Sequence, residues 1–261
     1  MIPFGKIALI GSGNVSYAFL KALRNNGIAL DYILIRNKGK ISVIEKEFGV
    51  ETVADYKKIL DCDLIIVAVK DDAIKDVAVN LNGYKGLLVH TSGTQPSSLL
   101  NSVENYGILY PLQTLTKDFE VDFKRVPLLV SASSSDSLAK LKRFANMISD
   151  VVLECSDDDR AHIHMSAVYV SNFINVMLQI GDKILKENGL NISLLEPLVK
   201  ETVNKSFVLG PEKALTGPAK RGDIDTINKH KLMLDNSVNE KKIYELLTDY
   251  IFEKYSKNEK L

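Results

Sequence analysis

The chain has 261 residues and a mass of 29.0 kDa, which suits one large or two modest domains. Apolar residues make up 46% and charged residues 25%, a balance that excludes a disordered chain. The 33 basic residues equal the 33 acidic ones, so no net positive field favours nucleic acid or an anionic membrane as a partner. The two cysteines and four histidines show no metal-binding spacing, and the sequence predicts no metal site.

Short apolar runs alternate with helical patterns over residues 1–155. The predicted strands are Ile7–Ile10, Tyr32–Ile35, Val50–Val53, Leu64–Val69, Gly86–His90, Ile108–Tyr110, Val126–Val130 and Val151–Glu154. The predicted helices are Ser16–Arg24, Ile41–Phe48, Asp55–Leu60, Asp72–Asn80 and Ser137–Ile148. Because such alternation builds βαβ units, we expect an α/β fold whose N-terminal domain, residues 1–155, is a doubly wound parallel sheet of the Rossmann type.

The pattern becomes helical after Cys155. Ser156, followed by three aspartates, predicts the start of a helix of about 30 residues that ends near Gly189. Further helices are predicted at Leu194–Phe207, Ile224–Leu234 and Glu240–Tyr255. We therefore expect residues 156–261 to form an all-helical domain, and we assign substrate binding and dimerisation to it as an expectation. The long helix is apolar on nearly every side in its middle, which favours a homodimer that covers it.

Neither an export signal nor a membrane anchor is predicted. The N-terminal apolar run is short, ends in glycines and has no basic n-region before it, unlike a signal peptide. The longest uncharged stretch, Met165–Gly181, is shorter than a membrane span usually is and carries several serine, asparagine and glutamine residues. We therefore expect a cytoplasmic protein without a membrane partner.

A glycine-rich loop joins the first predicted strand to the first helix. The loop reads Gly11-Ser12-Gly13-Asn14-Val15-Ser16. Gly11 allows a tight turn, and Gly13 lets the backbone approach a pyrophosphate at the positive end of the following helix. This context predicts a dinucleotide site, with a ligand-free glycine turn as the alternative.

The turn after the second predicted strand favours NADP over NAD. Arg36, Asn37 and Lys38 follow Ile35, where NAD enzymes commonly carry an acid. Asp31 precedes the strand and would lie at its wrong end. A guanidinium can bind a 2′-phosphate through two hydrogen bonds, whereas a solvated basic turn is the alternative reading. Residues at two further strand ends are expected to line the cofactor, namely Val69, Lys70 and His90.

Several segments resemble a known family. They are His90–Gly93 (HTSG), Tyr110–Thr114 (YPLQT), Ser171-Asn172 and Gly210–Asp223 (GPEKALTGPAKRGD), the last followed by Thr226 and His230. Together with the glycine loop, they resemble Rossmann-like proteins with a DUF2520 C-terminal domain, a branch of the 6-phosphogluconate-dehydrogenase-like superfamily. The resemblance implies an NADP oxidoreductase with a helical C-terminal domain that often forms dimers. The chain departs from it at Ser16, where the family usually has glycine, and at Tyr110, where it usually has histidine.

The candidate catalytic residues are His164, Asn172 and Ser92. His164 and Asn172 are eight residues apart on the long helix and so point to similar sides. His164 can supply a proton near neutral pH, and Asn172 can orient a substrate. A purely structural role in a helix interface is the alternative for both, and Tyr110 is a second candidate for the proton. Candidate substrate contacts are Thr91, Gln113 and Arg221. Capping of the next helix is the alternative for Thr91 or Ser92, and pairing with Asp223 in a structural turn is the alternative for Arg221.

The predicted function is NADP-dependent hydride transfer to or from a small polar metabolite with a carbonyl or imine group. The active site is expected between the sheet crevice and the long helix. A non-catalytic NADP-binding redox sensor or regulatory protein is the main alternative. A structural dimer module with a vestigial nucleotide site is the third reading.

Overall fold

The protein was analysed as a computed structural model that describes residues 2–255, apart from the side chain of Lys38. The strands are β1 Ile7–Ile10, β2 Tyr32–Leu34, β3 Glu51–Val53, β4 Leu64–Val67, β5 Leu87–His90, β6 Tyr106–Pro111, β7 Leu128–Ala132 and β8 Val152–Glu154. The α-helices are α1 Asn14–Asn25, α2 Ile41–Phe48, α3 Ile74–Asn80, α4 Ser135–Ile148, α5 Asp157–Ala167, α6 Phe173–Glu187, α7 Glu196–Leu209, α8 Pro211–Ala214, α9 Pro218–Arg221, α10 Ile224–Met233 and α11 Val238–Tyr255.

All eight strands form one sheet in the order β3-β2-β1-β4-β5-β6-β7-β8. The first six are parallel, and their order is that of the Rossmann fold. The expected α/β fold with a doubly wound sheet is therefore confirmed. The topological switch lies between β1 and β4, so the crevice there opens at the carboxyl ends of both strands.

The last two strands run opposite to the first six, which the prediction of a parallel sheet did not include. β7 pairs with β6 in antiparallel register, from Gly107 opposite Ala132 to Pro111 opposite Leu128. β8 is parallel to β7. The connection from β6 to β7 contains only one short 3₁₀ turn, Phe123–Arg125. Because a parallel return needs a crossover, usually a helix, the chain turns back beside β6 instead.

Apolar side chains cover both faces of the sheet, which explains why the central strands show no alternation. All residues of β1, β4 and β5 are buried. One face packs against α1 and α4 through residues such as Phe19 and Phe144, and the other packs against α3. This burial on two sides holds the carboxyl ends of the strands in place as a rigid edge.

The chain divides into two compact units, one up to Asn172 and one from Phe173 onward. The contacts thus assign Asp157–Asn172 to the first unit, although the expected division follows residue 155. That division marks the end of the last strand, and as a domain boundary it stays a prediction. The second unit, as far as the structure describes it, consists of α6–α11 and a short 3₁₀ turn.

The long helix predicted from Ser156 is interrupted. Five residues between α5 and α6, Val168–Asn172, form a π-helical segment. The Ser156 hydroxyl caps the start of α5 by accepting a hydrogen bond from the backbone N–H of Asp159 at 3.0 Å. Three aspartates in the first turn complement the positive end of the helix dipole. The helix start therefore follows local sequence rules, whereas its π segment does not.

Candidate functional site

The glycine loop leaves β1 at the switch point of the sheet. Gly11 has a φ of 125°, and a Cβ added there would lie 2.1 Å from the carbonyl oxygen of Ala68. Only glycine can pass so close to the end of β4. Ser16, at the third small position, is fully buried, and its hydroxyl donates to the same carbonyl at 3.3 Å. This contact shows why a small side chain suffices where the family usually has glycine.

The start of α1 fits a bound pyrophosphate. A Cβ added at Gly13 would meet no atom within 4 Å, so open space borders the backbone there. Gly13 is the N-cap residue, no side chain caps the helix, and its first turn contains no acid. Free N–H groups at a positive helix end form a ready anion site. Ser12, Asn14 and Val15 complete this loop.

The basic turn after β2 lies at the same edge of the sheet. The exposed Arg36 donates to the hydroxyl of Tyr56 at 3.4 Å. Lys40 donates to the carbonyl oxygen of Ser12 in the glycine loop at 2.7 Å. Lys40 and Tyr56 were not among the predicted site residues, although Lys40 lies four residues after Arg36. Two cations, Arg36 and Lys40, thus stand in this turn, and Lys40 contacts the glycine loop.

Asn37, in the same turn, and Asp31, which precedes β2, each accept a hydrogen bond from a backbone N–H. Asn37 is used locally, because its side-chain oxygen accepts from the backbone N–H of Gly39 at 3.0 Å. The side chain of Lys38 lies outside the described residues. Asp31 accepts from the backbone N–H of Ile7 at 2.8 Å, at the amino ends of β1 and β2. That carboxylate therefore lies at the opposite edge of the sheet from the glycine loop.

The loop after β5 is held by its own side chains. His90 is fully buried, and its ring nitrogens contact the carbonyl oxygen of Pro96 at 3.3 Å and the backbone N–H of Ser92 at 3.2 Å. Burial lowers the pKa of His90 to about 4. The Ser92 hydroxyl accepts from the backbone N–H groups of Thr94 and Gln95, and Thr91 donates to the Val67 carbonyl. These side chains therefore shape the loop, and His90 can border a ligand only through its backbone.

Tyr110 and His164 form a hydrogen-bonded pair. The hydroxyl of Tyr110, near the end of β6, lies 3.1 Å from Nδ1 of His164 on α5. Their rings meet edge to face at 6.0 Å between centroids. Burial raises the pKa of Tyr110, while the positive charge of Arg160 lowers it in part. The two candidates for the proton are thus neighbours rather than alternatives at separate places.

Gly93 supplies the room for this pair. A Cβ added there would lie 2.5 Å from Nδ1 of His164 and 2.9 Å from Cζ of Tyr110. Both distances are shorter than van der Waals contact allows. The HTSG loop therefore packs its glycine backbone directly against the two rings. Since Gly93 follows β5 and Tyr110 lies near the end of β6, the pair stands at the same sheet edge as the glycine loop.

A buried arginine fixes α5 against the loop after β5. Arg160, one turn before His164, is 1% exposed. It pairs with Asp157 at 2.6 Å and donates to the carbonyl oxygen of Gln95. Asp157 in turn accepts from the backbone N–H and the hydroxyl of Ser97. Arg160 was not among the predicted site residues, although its spacing of four residues from His164 places both on one helix face.

The π segment brings His164 and Asn172 to one side. In a regular α-helix, eight residues advance about 80° beyond two full turns. The π segment Val168–Asn172 has wider turns, so each of its residues advances less. His164 and Asn172 consequently line the same cleft. Asn172 is exposed, and its side-chain oxygen accepts from the hydroxyl of Ser171 at 2.9 Å.

This cleft has a volume of about 810 Å³ and lies wholly within the first unit. It is lined by Tyr110, Leu112, Gln113, Thr114, Leu115, His162, Ile163, His164, Ser166, Ala167, Val168, Val170, Ser171 and Asn172. Gln113 thus lines the same cleft as His164 and Asn172. Ser92, the third predicted catalytic residue, and Thr91 are buried in the loop that carries Gly93. Arg221 lies on α9 of the second unit and is exposed. Val69 and Lys70 lie two and three residues after the end of β4.

Two family models match different parts of the chain. Residues 6–90 match the family described as NADP oxidoreductase coenzyme F420-dependent. Residues 126–251 match the domain of unknown function DUF2520. No curated protein matches the chain in sequence.

Solved structures of similar fold include oxidoreductases. The putative NADP oxidoreductase BF3122 from Bacteroides fragilis is 32% identical with a TM-score of 0.89, and the match covers 97% of this chain and 100% of that one. A pyrroline-5-carboxylate reductase from Streptococcus pyogenes has a TM-score of 0.62 at 17% identity, covering 96% and 97% of the two chains. An imine reductase from Myxococcus stipitatus in complex with NADP+ has a TM-score of 0.65 at 16% identity, covering 97% and 93%. The last two show similarity of fold. On the first match and the two domain matches, the chain belongs to the family of Rossmann-like NADP oxidoreductases with a DUF2520 C-terminal domain.

Proposed function

We propose that the protein transfers a hydride between NADP(H) and a small polar metabolite with a carbonyl or imine group. The observation that supports this most is the hydrogen bond between Tyr110 and His164 beside Gly93. It places two proton-carrying side chains at the sheet edge that also carries the glycine loop. Reduction of a carbonyl or imine needs such a proton donor beside the cofactor.

The cofactor is proposed to lie across the switch point of the sheet. The residues proposed to hold it are Gly11, Ser12, Gly13, Asn14, Val15, Arg36, Asn37, Lys38, Val69, Lys70 and His90, the last through its backbone. The start of α1 would bind the pyrophosphate, and Arg36 would pair with the 2′-phosphate. When bound, the nicotinamide supplies or accepts the hydride.

His164 and Tyr110 are proposed to share the proton that the substrate receives. With the Tyr110 hydroxyl donating to Nδ1, neutral His164 carries its proton on Nε2. With Nδ1 protonated, His164 instead donates to the Tyr110 oxygen. Either arrangement keeps a proton within the pair, which would pass it to the developing alkoxide or amine and regain it from solvent. Asn172 and Gln113 would orient the substrate, and Ser92 supports the loop that carries Gly93.

The experiment combines cofactor binding with turnover. NADPH oxidation is measured against a panel of ketones, keto acids and imines. Since a positioned general acid contributes about 10²–10⁴-fold, His164→Ala and Tyr110→Phe should lower turnover by that factor and leave NADP affinity unchanged. Arg36→Ala should weaken NADP binding by about 10–150-fold while NAD binding stays constant. Arg143→Ala, at an exposed position on α4, is the matched control. Full activity of His164→Ala, or equal wild-type affinity for NAD and NADP, would contradict the assignment.

A non-catalytic NADP sensor is the second candidate. The observation that favours it is Tyr110, which stands where the family usually has a histidine and whose pKa is raised by burial. A hydroxyl of raised pKa releases a proton less readily than an imidazole does. Tight NADPH binding together with no turnover of any panel member would support this second function.

We propose further that the protein acts as a cytoplasmic homodimer built on its C-terminal helices. The run Asp157–Glu187 is, among the described residues, the one helical stretch long and apolar enough to cross a membrane, a feature that core helices share. Its apolar residues are not buried within the chain. Large apolar side chains are also exposed on the second unit, namely Leu194, Leu198, Phe207, Val208, Leu232, Met233, Leu246 and Tyr250. A second copy would cover such surface.

A further inference from the structure

The cleft beside Tyr110 and His164 contains no fixed charge. None of its fourteen described lining residues is an aspartate, glutamate, lysine or arginine. Apolar side chains supply much of the wall, namely Leu112, Leu115, Ile163, Ala167, Val168 and Val170.

A buried cation, Arg160, is held against the loop after β5. It is 1% exposed, its two terminal nitrogens bind Asp157 and the carbonyl oxygen of Gln95, and its Nε has no hydrogen-bond partner among the described residues. Lys117, three residues beyond Thr114, lies with its Nζ 4.4 Å from the centre of the Tyr17 ring, in a different groove. Neither side chain lines the cleft. An anionic substrate group would therefore meet no lysine or arginine among the described residues that line the cleft.

This electrostatic setting separates two kinds of substrate. A carboxylate or phosphate is stable away from water only with a cation and hydrogen-bond donors. A carbonyl or imine group needs only one hydrogen-bond donor. The Tyr110–His164 pair and the Asn172 amide can each provide one. The apolar wall would then bury the body of the substrate.

We infer that the substrate carries no carboxylate or phosphate next to its reacting carbon, and is a carbonyl or imine compound with an apolar body. This inference rests on the proposed function and narrows it. In the reduction, the substrate carbon gains a hydride, that is two electrons and a proton, from NADPH, which becomes NADP+. The nitrogen or oxygen gains a second proton from the Tyr110–His164 pair, and the C=N or C=O double bond becomes single.

Two cyclic imines that differ at one substituent test the inference. They are 2-methyl-1-pyrroline and 1-pyrroline-2-carboxylate, with a methyl or a carboxylate on the imine carbon. We expect kcat/KM with NADPH to be at least about tenfold higher for the methyl compound. The corresponding amines, 2-methylpyrrolidine and proline, are titrated calorimetrically onto the protein with NADP+. The neutral substituent should again bind at least about tenfold more tightly, in a readout that needs no turnover.

A charge introduced into the cleft should reverse the preference. Gln113 is exposed on the cleft wall, so Gln113→Arg adds a guanidinium without burying it. One charge-assisted hydrogen bond should raise the affinity for proline relative to that for 2-methylpyrrolidine by about 10–150-fold. Asn146→Arg adds the same charge at an exposed position of α4 and should change neither.

The outcomes separate this inference from the proposed function. Preferred binding of 2-methylpyrrolidine without reduction of either imine would support the inference and contradict hydride transfer. Preference of the wild type for the carboxylate compound would overturn the inference.

Discussion

Gly93→Ala tests whether close packing of the HTSG loop sets the geometry of the Tyr110–His164 pair. The added Cβ would stand 2.5 Å from Nδ1 of His164, 2.9 Å from its Cγ and 2.9 Å from Cζ of Tyr110. Carbon and nitrogen atoms pack at about 3.5–4.0 Å, so the imidazole must move by roughly 1 Å. The hydrogen bond is already 3.1 Å long and would not survive such a shift.

The expected effects follow from this displacement. Overpacking of this kind costs about 1–3 kcal/mol of the free energy of unfolding. A misplacement of about 1 Å at the reacting groups lowers turnover by roughly 10²-fold. The affinity for NADP should stay within about twofold of the wild type, because the glycine loop is untouched. NADPH oxidation with 2-methyl-1-pyrroline, cofactor titration and urea unfolding measure the three quantities.

Two further variants control the experiment. Gly181→Ala places a Cβ on α6 at 3.8 Å from Leu195 and 3.9 Å from Ile192, in ordinary contact. It should stabilise the protein by about 0.5–1 kcal/mol and leave turnover unchanged. In a His164→Ala background, the added methyl group at Gly93 meets no imidazole, so its cost in stability should fall. Wild-type turnover and stability of Gly93→Ala would refute the reasoning.

Three more predictions concern stability and assembly. Arg160→Met removes the buried partner of Asp157, whose side chain is 35% exposed and keeps its hydrogen bonds to Ser97. It should lower the free energy of unfolding by about 1–3 kcal/mol in urea titrations, and an unchanged midpoint would show that the ion pair is not structural. Because burial lowers the pKa of His90 to about 4, its contribution to stability is present above the unfolded value of about 6.5 and is lost as the pH falls toward 4. His90→Asn should therefore reduce the slope of stability against pH in that window by up to about 1.4 kcal/mol per pH unit, and parallel curves for the two proteins would contradict it. Light scattering at micromolar concentration should give a dimer for the wild type and a monomer for Phe207→Glu, whose phenylalanine is 88% exposed; a wild-type mass of about 29 kDa would rule out the dimer.

The sequence by itself determined the parts of the protein that follow from local pattern. Uninterrupted apolar runs identified the central strands, because strands buried on both faces need no polar residues. The order of glycines in Gly11–Ser16 indicated the cofactor loop, since a tight turn and an uncapped helix start are local requirements. The prediction that Arg36 contacts the cofactor likewise used only its position after β2. The capped start of α5 could be predicted from Ser156 and the acids after it.

Only the tertiary structure decided the features that join distant residues. The reversal of β7 depends on pairing with β6, and the burial of His90 depends on Pro96 and the loop around it. The π segment that aligns Asn172 with His164 has no sequence pattern of its own. The contact of Gly93 with Tyr110 and His164 joins three elements far apart in the chain. Periodicity reports which face of an element is apolar, whereas such contacts depend on how the elements pack, and that is why the candidate proton donors could be named from the sequence but their pairing could not.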